Sequence, residues 1–300
     1  MSRQQFVCCF TVVIIFLCKG KKKNSCHSDK HFLQVSTCGG KPVNSSSSIT
    51  GGQDATPGSW PTYAAIVIFG FQFGGSLIND QWVLTAASFI PLDTLTEWVP
   101  TVYLGGYSLS GSNPNQVNRT VENIICHPEF DFRTLDNDIC LLKLSAPVNF
   151  TDYIQPICLS SENSSFNNER SSWIIGLGYN SDGTFTKTLQ EAKVPIVGNN
   201  VCKGIFQGSY PKITENMICA GDNDSCLFTY GVPLMTKRKS VWLQSGVLSV
   251  SACGAFPSVF TRVSQYRKWI SDTVTGKAPE FVTLTSPDSS ASPTTTAPNM

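Results

Sequence analysis

Histidine, charge and long apolar runs are all scarce in this chain, and each shortage removes a class of function. Only His27, His31 and His127 occur in 300 residues, so any histidine chemistry must come from one of three places. Charged residues make up 14% and the net charge is +1, which gives no reason to expect nucleic acid or an acidic membrane as a partner. The longest apolar stretch, Phe6 to Cys18, is about 13 residues, too short for the roughly 20 that cross a bilayer, so no membrane span is expected. No cofactor and no metal site is expected either.

What the chain does hold points outward from the cell. Arg3, the apolar run and the small residues Cys18 and Gly20 before Lys21 form a secretory signal over residues 1–20, with a short signal anchor as the alternative. Twelve cysteines then fall to nine, a density that implies disulfides in an exported chain and an odd number that leaves one thiol over. Asn44, Asn118, Asn149, Asn163 and Asn223 each open an Asn-x-Ser/Thr sequon, the acceptor pattern for N-glycans on a secreted, extracellular protein.

Residues 21–48 are polar and read as a pro-segment-like region. From Ile49 the texture changes to short apolar runs cut by Gly, Pro, Asn and Asp, such as Tyr63–Phe71, Trp82–Ala87 and Ile139–Leu144, which predicts antiparallel barrels or a sandwich. Tyr266, Trp269, Ile270 and Val274 recur at helical spacing, with Ser264 placed as an N-cap. Residues 276–300 are rich in Ser, Thr and Pro and are expected to be a disordered tail.

The runs Ile49-Thr50-Gly51-Gly52, Gly74-Gly75-Ser76-Leu77-Ile78, Trp82 to Ala87, Asp136 to Leu142, Tyr153 to Leu159, Met217 to Gly221 and Val259 to Val263 follow in an order that resembles the trypsin-like, chymotrypsin-fold serine proteases. The resemblance covers residues 49–275. It implies an all-β fold of two packed antiparallel six-stranded β-barrels closed by a C-terminal α-helix, with a site in the cleft between the barrels. That site holds a serine nucleophile, a histidine base and an aspartate that orients the histidine.

Position by position, the match fails where the chemistry is. The histidine would follow Thr85-Ala86-Ala87, where Ser88 stands; His27 and His31 lie in the pro-segment and His127 in a His-Pro loop. Val232-Pro233-Leu234 sets the register that puts Tyr230 at the nucleophile and Phe228 at the glycine whose N–H forms half of the oxyanion hole. Asp138 alone keeps its triad position, and without a histidine it reads as a buried carboxylate bonded to nearby hydroxyls or amides. Activation is missing as well. Ser48 precedes Ile49 where the family is cut after Arg or Lys, and Thr229 replaces the aspartate that would receive the new terminus.

The cysteines fit the same alignment. It implies bridges Cys38–Cys158, Cys202–Cys219 and Cys226–Cys253, and it places Cys126 opposite Cys140 on adjacent strands, where a disulfide or two buried thiols could stand. Cys26 is left over, free or paired between chains. Two family bridges are gone in both members, their positions held by Phe73 with Phe89 and by Ser172 with Thr236; losing one such bridge typically costs about 2 to 5 kcal/mol. Asp224 matches the base of a specificity pocket for Lys or Arg, although the wall is Ser249-Val250-Ser251 and the following loop is short, so a structural or solvated Asp224 remains open.

The expected function is therefore that of an inactive homologue that binds an extracellular protein: a protease, an inhibitor or a receptor. The competing readings are weak or unorthodox hydrolysis through another hydroxyl, such as Ser225 or Ser251, and a chain with no defined partner.

Overall fold

The computed structural model describes residues 38–40, 52–91, 99–109, 112–166, 171–179, 184–221, 228–252 and 256–285. The expected signal, most of the pro-segment, Asn44, Asn223, Asp224, Ser225, Cys26 and the Cys226–Cys253 pair lie outside these residues.

The first barrel is built from β2 (Tyr63–Ile68), β3 (Phe71–Leu77), β4 (Trp82–Thr85), β5 (Thr101–Leu104), β6 (Val117–Cys126) and β7 (Cys140–Leu144), after a short β1 (Gln53–Asp54). Its ring closes in the order β2-β3-β4-β7-β6-β5. Period-two alternation explains the closure: Ala64, Ile66 and Ile68 point inward with Leu77, Val83, Val102 and Leu142, all nearly or fully buried. Each such large side chain contributes about 1.5 to 3 kcal/mol on burial. The β2–β3 connection is the two-residue turn Phe69-Gly70, both residues at positive φ (51° and 81°), a backbone hand that matches the strand twist.

The second barrel follows β8 (Cys158–Ser160) and comprises β9 (Ser171–Gly176), β10 (Gln190–Val197), β11 (Met217–Ala220), β12 (Pro233–Arg238), β13 (Val241–Val250) and β14 (Ser258–Arg262), with α1 (Asn199–Ile205) between β10 and β11. Pairing of β12 with both β9 and β13 closes six antiparallel strands into a ring. Ile174, Val194, Ile218, Leu234, Val247 and Phe260 fill it.

Two expectations are corrected. The C-terminal helix does not start from a Ser264 cap: Val263–Tyr266 is a 3-10 turn, the α-helix α2 runs Arg267–Thr273, and Ser264 is buried without capping it. Burial of Val263 and Tyr266 against the barrel tightens that turn. The tail does not begin at residue 276 either. Phe281–Val282 forms β15, paired in parallel with Leu159 and Ser160, and Leu284 is fully buried beside the Cys38–Cys158 disulfide. Phe281, Val282 and Leu284 hold this stretch, together with the N–H groups of Leu159, Ser161 and Ser165, which donate to the carbonyls of Glu280, Val282 and Leu284.

Candidate functional site

The site grows from the seam between the barrels. Gly231, at φ +79°, brings the loop before β12 against β3: a Cβ there would strike Thr85 and the Gly74 carbonyl, so only glycine fits. The approach is locked by the Gly74 N–H donating to the Tyr230 carbonyl (2.9 Å) and the Gly231 N–H donating to the Leu248 carbonyl (2.9 Å).

Asp138 sits just before β7 and is fully buried. Its Oδ1 accepts the N–H groups of Ala87 (2.6 Å) and Ser88 (2.7 Å), and its Oδ2 accepts the Ser249 hydroxyl (2.5 Å). The backbone carbonyl accepts from the Thr261 hydroxyl (2.7 Å). Ser249 and Thr261 belong to the second barrel, so this one residue, through its carboxyl and its backbone carbonyl, ties the two halves together. Burial pushes the Asp138 pKa up, and the hydroxyl and amide donors of Ser249, Ser88 and Ala87 pull it back.

Around this group Ser88, Phe89, Phe73, Tyr230, Ser249 and Val250 line a cavity of about 380 Å³, rimmed by Phe132, Leu135 and Tyr210. Tyr230 is half exposed, and among the described residues no side chain hydrogen-bonds its hydroxyl. Phe132 and Tyr210 are also exposed, at 69% and 57%. His127 stands elsewhere, with Tyr266 and Trp269 edge-on to its ring at 5.3 and 5.2 Å. Burial lowers its pKa, with Glu129 and Asp136 opposing.

Phe228 bridges to Gly178 and packs on the second core, while Thr229 sends both its N–H (3.0 Å) and its hydroxyl (3.3 Å) to the Leu177 carbonyl. The position that the resemblance assigns to a charged aspartate thus holds a neutral, internally satisfied side chain.

Phe73 and Phe89 stack with centroids 4.1 Å apart and planes 9° from parallel. Ser172 and Thr236, opposite one another across β9 and β12, share a hydrogen bond of 2.8 Å between hydroxyls, and Thr236 continues to Ser245 at 2.9 Å, all fully buried. The disulfides Cys38–Cys158, Cys126–Cys140 and Cys202–Cys219 are formed. Asn118, Asn149 and Asn163 are exposed.

Sequence reasoning named Ser249 only as a pocket wall and missed Phe132, Tyr210 and Thr261. Ser249 meets Asp138 across 111 residues, a pairing with no local signal. A comparison with protein-family models matches residues 49–270 to the family described as Trypsin.

Proposed function

Because the chain belongs to the trypsin family of serine proteases, we propose that it is a secreted member that does not hydrolyse peptides and acts by binding another extracellular protein. The observation that carries this reading is the environment of Asp138. Its carboxylate takes the Ala87 and Ser88 backbone N–H groups and the Ser249 hydroxyl, and among the described residues no imidazole meets it: residue 88 is a serine, and His127 stands elsewhere against Tyr266 and Trp269. A tyrosine whose hydroxyl no neighbour activates is a poor acyl-transfer nucleophile, and Phe228 lacks the freedom of the glycine at an oxyanion hole.

Binding draws support from the exposed rings of Phe132, Tyr210 and Tyr230 around the cavity, since exposed aromatics grouped on one surface are the usual anchors of protein interfaces. Secretion draws support from three disulfides and three exposed sequon asparagines. Among the described residues no helix is long and apolar enough to cross a membrane.

Purified full-length protein, before and after trypsin treatment, is tested with a serine-directed fluorophosphonate and with Arg and Lys ester substrates. No labelling and no turnover are expected. Specific labelling of any serine that disappears on its mutation overturns the reading. Affinity capture from extracellular fluid with wild type and Phe132→Ser then tests binding: a saturable protein partner lost in the variant is expected.

A further inference from the structure

A second cavity, of about 400 Å³, lies on the outer face of the first barrel. The alternation that sends Ala64 and Ile66 into the core puts Tyr63, Ala65 and Val67 on the opposite face, with Tyr103 directly across from Ala65 and Gln72 across from Val67. Ala65 is small between two tyrosines and forms the floor. Leu177 and Leu189 of the second barrel close one side, and the segment around Tyr107 closes another.

That wall is fixed before any ligand arrives. The Asn113 side chain accepts the N–H groups of Tyr107 and Ser108 (3.2 and 3.3 Å) and donates to the Ser108 carbonyl (2.6 Å). The Leu189 N–H donates to the Tyr107 carbonyl and the Leu109 N–H to the Lys187 carbonyl, each at 2.7 Å. A pre-formed pocket of this size with aromatic walls and a few polar groups is the usual form of a small-ligand site.

Two polar atoms of residues that line it are buried with hydrogen-bonding capacity unmet. Tyr63 is 5% exposed, and its hydroxyl meets no acceptor, although the Leu177 N–H faces the phenol oxygen. Gln72 Oε1 is likewise buried without a donor. One missing acceptor and one missing donor in the same cavity ask for a ligand that offers both.

We propose that this cavity binds an uncharged pyranose sugar, either free or as the terminal residue of a glycan. Among the described residues no Asp, Glu, Lys, Arg or His lines it, so nothing there compensates a charged ligand. Sugar hydroxyls donate and accept, so that different hydroxyls of one ligand serve Tyr63 and Gln72, which lie four residues apart along the β2–β3 ladder, while the apolar ring face packs on the tyrosines. A peptide added as a strand is disfavoured, because β2 is already hydrogen-bonded on both edges, to β3 and to β5. The site is separate from the cavity beside Asp138 and does not depend on whether catalysis is lost.

The test is saturation-transfer NMR on the full chain, with any N-glycans trimmed enzymatically so that they do not compete. The probes are the methyl glycosides of glucose, galactose, mannose and N-acetylglucosamine, with methyl glucuronide as the charged control, alongside a neutral biantennary glycan. At least one neutral glycoside should bind with about millimolar affinity, and the glucuronide should not. Tyr63→Phe, which removes only the O–H, should weaken binding about three- to tenfold. Ala65→Leu, which fills the floor, should abolish it, and Phe132→Ser should leave it unchanged. Tighter binding of the glycan than of the glycosides identifies a glycan as the ligand; the reverse identifies a free sugar. The proposal is overturned if no neutral sugar binds to folded wild type, or if binding survives both Tyr63→Phe and Ala65→Leu.

Discussion

Phe73 and Phe89 lie face to face, 4.1 Å between ring centroids, at the two positions where the family resemblance places the cysteines of a disulfide. Phe73 comes from β3 and Phe89 from the segment after β4, so the stack joins the same two pieces of chain that a bridge would. A packed pair stands at these positions and also floors the cavity beside Tyr230.

The stack should show as an energetic coupling. In a double-mutant cycle of Phe73→Ala and Phe89→Ala, followed by urea unfolding, the coupling is expected at about 0.5 to 1.5 kcal/mol. A coupling near zero would mean that the two rings stabilise the fold independently.

The second such position pair is Ser172 and Thr236. Directly opposite positions with hydroxyls 2.8 Å apart suit a bridge, so the paired substitution Ser172→Cys with Thr236→Cys should form a disulfide, visible as a loss of free thiol and a higher Tm. Thr236→Val alone leaves buried hydroxyls short of a partner and should cost about 1 to 3 kcal/mol.

Asp138 sets a pH dependence whose sign can be worked out. Its folded pKa is raised above the usual 3.8, mainly by burial. Above 3.8 and below the folded value, the native state binds more protons than the unfolded chain, so stability falls as pH rises through that window. Asp138 stabilises most below pH 3.8 and loses that contribution once it ionises in the fold. Asp138→Asn should flatten this part of the stability profile measured by denaturant titration between acid and neutral pH. An unchanged profile would show that other groups control it.

Cys126 and Cys140 face each other across β6 and β7 and close a loop within 14 residues. Replacing both with Ala should lower stability by about 2 to 4 kcal/mol in guanidinium unfolding. Equal stability with and without reductant in the wild type would argue against a stabilising role.

Introducing the two residues that the family resemblance expects at positions 88 and 230 should not confer activity. With Ser88→His and Tyr230→Ser together, ester hydrolysis is expected to stay at the uncatalysed level, because Phe228 and Thr229 keep the loop bonded to Gly178 and Leu177. Turnover in this double variant would show that Phe228 and Thr229 do not prevent catalysis.

Much of the fold was legible because it repeats locally. The short apolar runs Tyr63–Phe71 and Ile139–Leu144 carry a strand signal and motif order divided the chain into two barrels, although the first run spans β2, the Phe69-Gly70 turn and the first residue of β3. The helix start was misread because Ser264 has the chemistry of a cap but is drawn into the core with Val263. The tail boundary was misread because the Ser/Thr/Pro composition farther along masked Phe281 and Val282, which pair with β8, and Leu284, which is buried.

The sequence by itself determined which groups exist: three histidines, Ser88 and Tyr230 at two expected site positions, and the cysteines available for bridging. Only the tertiary structure decided what those groups meet. Ser249 reaches Asp138 across 111 residues, Ser172 reaches Thr236 across 64, and Tyr63 shares a cavity with Leu177 of the other barrel. Such pairings depend on barrel closure and on the seam between barrels, where the partners are set by three-dimensional packing and leave no periodic trace along the chain.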